Sequence, residues 1–259
     1  MTEKETWFIF LVSALIYFSW QKIWILATLV TLFSIPILIW LLRQERSPQS
    51  IDAEDQSLGM NKLHWTRKQT ISHPLFWFMM PAVIGQSAFN TAFFFQQVHF
   101  SEIKGWEHLN LVSMFPVYTG VAICMMILSG ILLDKLGTAK LIPYFQLPMI
   151  IAFILFAFGE TLYSALLGFI FLGITSGANT TLPNAFWAEF FGTKHLGSIK
   201  AAAAAAMVLG SAIGPALTGI LLDFNISLNF QYVGISIFFV LSSLFMWVGI
   251  SRTKINFLN

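Results

Sequence analysis

The chain has 259 residues, 57% of them hydrophobic and only 10% charged, with 27 phenylalanines and a formal net charge of +2. A composition so apolar excludes a water-soluble domain and puts the chain in a bilayer, and the near-neutral balance leaves no electrostatic footprint for nucleic acid. The single Cys124 excludes an intrachain disulfide and a cysteine-built metal cluster.

In chain order, Met1-Thr-Glu-Lys-Glu-Thr6 carries more acid than base, and no small-residue cleavage pattern follows, so residues 7–20 read as a retained helix and not as a signal peptide. Eight apolar segments are predicted: 7–20, 23–42, 75–97, 109–133, 141–158, 161–185, 200–222 and 230–250. All but the first approach the length of about 20 helical residues that a hydrocarbon core requires. The first is short, as a clipped helix at the start of an incomplete chain would be. Amides have no water partners in lipid, so these runs must be helices, and their continuous apolarity argues against an outer-membrane barrel. The expected fold class is an all-α membrane protein, a polytopic helical bundle of about eight transmembrane helices.

Orientation follows from Lys and Arg. If residues 44–73 are cytoplasmic, that side collects Lys4, Arg43, Arg46, Lys62, Arg67, Lys68, Lys135, Lys140, Lys194, Lys200, Arg252 and Lys254, against Lys22 and Lys104 on the other. The bias places both termini in the cytoplasm. Residues 44–73 form the one real linker, polar and mixed in charge, expected to be mobile or surface-lying, with a short amphipathic helix around Leu63, Trp65 and Ile71. The expected organisation is two helices in 1–43, the linker, a bundle in 74–250 and a tail in 251–259.

In the segment after the linker, Gln86, Asn90 and Gln97 fall on one helix face, with Phe93 between them. Amides in lipid must face protein, water or a ligand, so the stripe points either into a cavity or at a neighbouring helix. Further on, Gly130-Ile-Leu-Leu-Asp134-Lys135-Leu-Gly137-Thr-Ala-Lys140 interrupts two apolar runs and reads as a tight turn at a membrane face. Its Gly-Ile-Leu-Leu-Asp recurs at Gly219–Asp223, again at the end of a long apolar run, as inverted three-helix repeats require.

Gly130, Asp134, Lys135, Gly137 and Lys140 match a loop motif, and the chain resembles the major facilitator superfamily of secondary transporters. Lys135 and Lys140 stand where arginine is commoner in the family, offering a point charge in place of a bidentate fork. The resemblance implies that residues 1–43 correspond to the last two helices of the family's first half, and 74–250 to its second half. The first four family helices would then be missing. It further implies that Gln86, Asn90 and Gln97 line a central cavity, and that Asp134, Lys135 and Lys140 act as a conformational latch, Asp134 meeting a helix N-terminus.

In the sixth segment Ser176, Thr180 and Asn184 repeat every four residues among Gly173, Gly177 and Pro183. Two readings stand: a helix that bends and exposes carbonyls to a solute, or small residues that only let helices pack. The Asn179 and Asn225 matches to a glycosylation pattern carry no weight, Asn179 being inside a span. Ala202, Ala206, Gly210 and Gly214 make a flat face in the seventh segment, with Pro215 marking a kink. Glu189 and Lys200 read as charges at span ends, so no buried cation supports a carboxylate substrate.

Neither a Walker-type phosphate loop, nor metal-spaced His or Cys residues, nor a nucleophile–base set stands in the sequence. The chain therefore reads as a non-enzyme with no cofactor and no metal. The resemblance implies transport of a small solute by alternating access, by a truncated secondary transporter in the bacterial inner (plasma) membrane. Its partners would be the lipid bilayer, the solute and a coupling proton or sodium ion, with no nucleic acid. The alternative is a non-transporting fragment, or a half-transporter needing a complementary N-terminal half.

Overall fold

A computed structural model describes residues 20–42 and 57–257. Residues 7–19 of the first expected segment, Lys4, Arg43, Arg46 and the acidic middle of the linker lie outside the described residues. The chain divides into two compact units, residues 1–53 and 54–259. The first contributes α1, Trp20–Leu42, a helix with Pro36 inside it.

The second unit is built from α2 (Arg67–Ser72), α3 (Pro74–Phe95), α4 (Gln97–Ile103), α5 (His108–Val112), α6 (Phe115–Leu136), α7 (Thr138–Leu141), α8 (Leu147–Phe158), α9 (Leu162–Phe191), α10 (Leu196–Asp223) and α11 (Leu228–Phe257). Among the described residues there is no strand, as the all-α expectation requires. Five helical stretches are long and apolar enough to cross a membrane: Trp24–Leu41, His108–Leu136, Leu162–Phe191, Leu196–Asp223 and Leu228–Thr253. Two further expected segments fall short for identifiable reasons. α3 carries Gln86, Ser87, Asn90 and Thr91, which dilute its apolarity. α8 is only 12 residues long, because residues 142–146 form turns between Pro143 and Pro148.

Starts and stops follow local chemistry. His73 caps α3, its Nδ1 accepting from the Leu75 N–H at 3.2 Å, with Pro74 in the first turn, where a missing N–H costs nothing. Thr161 caps α9 through a reciprocal pair with Ser164, at 3.2 and 3.3 Å. α6 stops at Gly137, whose φ of 77° a side chain would strain.

The helices pack in matching pairs: α6 on α9 and α10 on α3, then α8 on α9 and α11 on α3, with α8 and α11 meeting each other. That is the arrangement of two three-helix repeats, α3–α6–α8 and α9–α10–α11, inverted relative to one another. The two Gly-Ile-Leu-Leu-Asp copies end α6 and α10, the equivalent helices, at opposite ends of the unit. Both principal crossings use a glycine pair. A Cβ at Gly173 on α9 would stand 2.7 Å from the Tyr118 carbonyl oxygen, and one at Gly210 on α10 the same distance from that of Ile84. Gly177 and Gly214, one turn on, press still more closely on the Ala122 and Ala88 carbonyl oxygens. Lipid tails are as apolar as leucine, so such close approach holds the helices together where water exclusion cannot.

Two further devices lock the six principal helices. Gln146, fully buried before α8, donates to the Ala82 carbonyl at 2.8 Å and accepts from Ser242 Oγ at 3.0 Å, joining α3 and α11. Toward the other end, Phe93 stacks on Phe156 with centroids 4.3 Å apart, inside a cluster that includes Phe100, Phe153, Phe169 and Tyr232.

Lys62, Arg67, Lys68, Lys135, Lys140, Lys194, Lys200 and Arg252 mark one end of the unit, its basic end. At the opposite end Lys104 donates to the Ala157 carbonyl at 3.1 Å. The described part of the linker, residues 57–73, is fixed to the basic end. Trp65 N–H donates to the Phe191 carbonyl at 3.0 Å, Thr193 N–H to that of Ser57 at 3.1 Å, and Met60 is 3% exposed within the core. Residues 57–73 are thus a strap, the surface-lying of the two forms expected, and the short helix covers Arg67–Ser72, with Leu63 and Trp65 preceding it.

Gly177→Leu or Gly214→Leu should lower stability in detergent unfolding by roughly 2 kcal/mol or more, because the crossing must open. Gly130→Ala and Gly219→Ala, whose added methyl meets nothing within 4 Å, should not. An equal loss in both pairs would show that close approach is not what holds the crossings.

His73 yields a pH dependence. Burial holds its imidazole below the ordinary 6.5, so the unfolded chain takes the proton first. The stability from the neutral cap is present above pH 6.5 and falls as the pH drops toward the folded value. Melting temperature should therefore decline on acidification, and His73→Asn, which can cap without titrating, should flatten that decline.

Candidate functional site

A cavity of about 370 Å³ lies between α3, α9 and α10, toward the basic end. α9 contributes Asn179, Thr180, Pro183, Asn184 and Trp187; α10 contributes Lys200, Ala203, Ala204 and Met207; Val83 closes the α3 side. The polar wall has a local cause. Pro183 lacks the N–H that would reach the Asn179 carbonyl, so that oxygen is released from the helix ladder. One turn away Asn184 Nδ2 donates to the Thr180 carbonyl at 2.6 Å, and Thr180 Oγ1 donates to that of Gly177 at 2.7 Å. The opposite wall is held by Ser87 Oγ, which donates to the Met207 carbonyl at 2.7 Å and pins α3 to α10.

The residues singled out in the sequence are only partly brought together. Thr180 and Asn184 line the cavity and are exposed. Ser176 does not line it; its Oγ accepts from the Tyr118 hydroxyl at 3.0 Å, tying α9 to α6. Nor do Gln86, Asn90 and Gln97 line it. They lie along α3 and the start of α4, and Phe93 between them turns into the aromatic cluster. Gln86 is 4% exposed, and its Oε1, Asn90 Oδ1 and Gln97 Oε1 have no hydrogen-bond partner among the described residues. Unpaired amide oxygens in such a setting call for water or a ligand group.

Around Gly130–Lys140 the chain leaves α6 and enters α7. Thr138 N–H donates to Glu189 Oε2 at 3.3 Å, so the carboxylate at this turn comes from α9 and not from Asp134. Asp134, Lys135 and Lys140 are exposed, and Asp134 makes no hydrogen bond among the described residues. Gly137 supplies the positive φ.

Asn179, Trp187 and Lys200 are among the cavity residues that the sequence reading did not assign to a site. A signal for them existed. Asn179 is four residues before Pro183, and Lys200, Ala204 and Met207 fall at i, i+4 and i+7, one face of α10.

Comparison with curated proteins finds no match. Comparison with protein families matches residues 8–168 to the Major Facilitator Superfamily. The matched stretch takes in Gln86, Asn90, Gln97 and the whole of Gly130–Lys140, and ends inside α9 before Ser176, Thr180 and Asn184. Covering more than half of the 259 residues, this match identifies the chain as a membrane-embedded member of the major facilitator superfamily of transporters.

Proposed function

We propose that the chain carries a small solute across a membrane by alternating access, as a secondary transporter and not as an enzyme. The observation that carries this reading is the cavity between α3, α9 and α10, roomy enough for a small solute and lined on one side by Asn179, Thr180 and Asn184. Gln86, Asn90, Gln97 and Ser176 belong to the same pathway at other depths or in other conformations. The unpaired oxygens of the three amides are the groups a passing solute or its water would satisfy. A proton or sodium gradient supplies the drive.

Gly130, Asp134, Lys135, Gly137 and Lys140 form the latch. Asp134 stands exposed in the described residues, free to engage another element when the transporter changes state. The basic end faces the cytoplasm, and both termini with it, in the inner membrane of a bacterium. The distribution of Lys and Arg supports that orientation, with Lys104 standing apart at the other end of the second unit.

A second reading rests on a separate observation. α6 buries only Ser129, and α10 only Ile199, Ala203, Gly210, Gly214 and Thr218, whereas α9 buries thirteen residues. Such faces suit a complementary bundle, so this chain would work as a half-transporter, with 1–43 and 74–250 joined through 44–73.

Uptake of a solute panel into vesicles holding the chain, under imposed pH or sodium gradients, tests the function. Flux should fall at least tenfold in Asn184→Leu, and Asp134→Asn should slow turnover in correctly inserted protein. Flux that requires added complementary helices would favour the half-transporter. Unchanged flux in Asn184→Leu would remove the cavity from the pathway. Orientation has its own measurement. In a Cys124→Ala background, Lys62→Cys and Lys194→Cys should both resist an impermeant thiol reagent in intact cells, and labelling of only one would overturn the topology.

A further inference from the structure

Lys200 reads in the sequence as an end charge, yet it is part of the cavity wall. It sits about one turn inside α10, on the face that carries Ala204 and Met207, opposite Asn184, Thr180 and Asn179 on α9. No carboxylate is among the lining residues. The neighbouring acid on α9, Glu189, is directed to the Thr138 N–H, and Asp223 ends α10 at the far end of the unit. The ion pair found among the described residues is His99 with Glu102, at that far end. The cavity thus holds one lysine without an acidic partner among the described residues, faced by two primary amides and a hydroxyl.

An ammonium donates three hydrogen bonds and accepts none, and an amide NH₂ donates two. Lys200, Thr180 and Asn184 are exposed, and the walls from Val83, Ala203 and Met207 carry no charge, so Lys200 is the one charged side chain lining the cavity. That charge attracts an anion into the cavity and repels a cation. Resting on the reading of the cavity as the solute site, we propose that the transported solute bears an anionic group, a carboxylate or a phosphate. Lys200 is its counter-charge, and Asn179, Thr180 and Asn184 hydrogen-bond the remainder. The sequence offers no buried cation, and Lys200 is indeed exposed; it reaches the cavity because the cavity extends outward as far as this end charge.

The test works before the solute itself has been identified. In the full chain, purified in lipid nanodiscs, Cys124→Ala with Ala204→Cys puts a thiol in the cavity one helical turn from Lys200. Its reaction rates are measured with an anionic reagent, sulfonatoethyl methanethiosulfonate, and a cationic one, trimethylammonioethyl methanethiosulfonate. The anionic-to-cationic rate ratio should fall about tenfold when Lys200→Gln is added, since one charge at about 6 Å acts with opposite sign on the two reagents. Lys200→Arg should preserve it, which separates loss of charge from loss of fold.

Inorganic phosphate and succinate are then tried as protectants beside glucose. Protection by phosphate or by succinate, abolished in Lys200→Gln, supports the proposal and says which anion the site takes. An unchanged rate ratio in Lys200→Gln, or protection by glucose alone, overturns the anionic assignment while leaving the cavity as a solute site. Failure of both reagents to react would mean that the cavity is closed, and would overturn the solute-site reading together with the inference.

Discussion

Backbone-to-backbone contact at the two glycine crossings is the constraint on which the rest of the second unit depends. In water, apolar side chains would drive the helices together, but within lipid that force vanishes and fit has to replace it. Gly173 and Gly177 bring α9 onto α6, and Gly210 and Gly214 bring α10 onto α3. The glycines lie on α9 in one crossing and on α10 in the other. The inverted repeats therefore share a packing solution without sharing its residues, and five-residue echoes such as Gly130–Asp134 and Gly219–Asp223 are what remains visible of the symmetry.

Close crossings also decide where space is left. α10 is held tightly to α3 and α6 tightly to α9, while α9 and α10 meet far less extensively, and the cavity opens between them. Pro183 lies at this seam. It breaks the hydrogen-bond ladder where no neighbouring helix covers it, so a helix defect that would be costly in lipid becomes a polar wall. The aromatic cluster around Phe93 and Phe156 and the Gln146 tie between α3, α8 and α11 make the opposite side rigid.

Much of this was legible because lipid makes strict demands. Apolar length gave the helices of α1, α6, α9, α10 and α11, and the run from Gly130 to Lys140 gave the turn where α6 ends. What escaped has physical reasons. Gln146 falls inside the expected 141–158 segment with nothing in the sequence to mark it, and only tertiary packing shows that it is fully buried and doubly bonded. The linker's polar composition hid the anchoring of Met60 and Trp65, because two well-placed apolar residues and a few backbone hydrogen bonds can outweigh a hydrophilic stretch. The Gln86–Asn90–Gln97 stripe follows helical geometry, but the shared face is cut by the break at Gln96, and Phe93 turns into the core. A period finds a face without naming its neighbour.

Lys200 illustrates why a charge near a helix end is ambiguous until its surroundings are known. A lysine there can reach for the headgroups along its aliphatic stem, and sequence offers nothing further. Its meaning changes once α9 places Asn184, Thr180 and Asn179 opposite it, and Glu189, the nearest acid on that helix, is engaged by the turn after α6. That carboxylate accepts from the Thr138 N–H, within the turn of Gly130–Lys140. Glu189 and Lys200 both stand near helix ends, and only the neighbour each one meets tells a turn contact from a cavity wall.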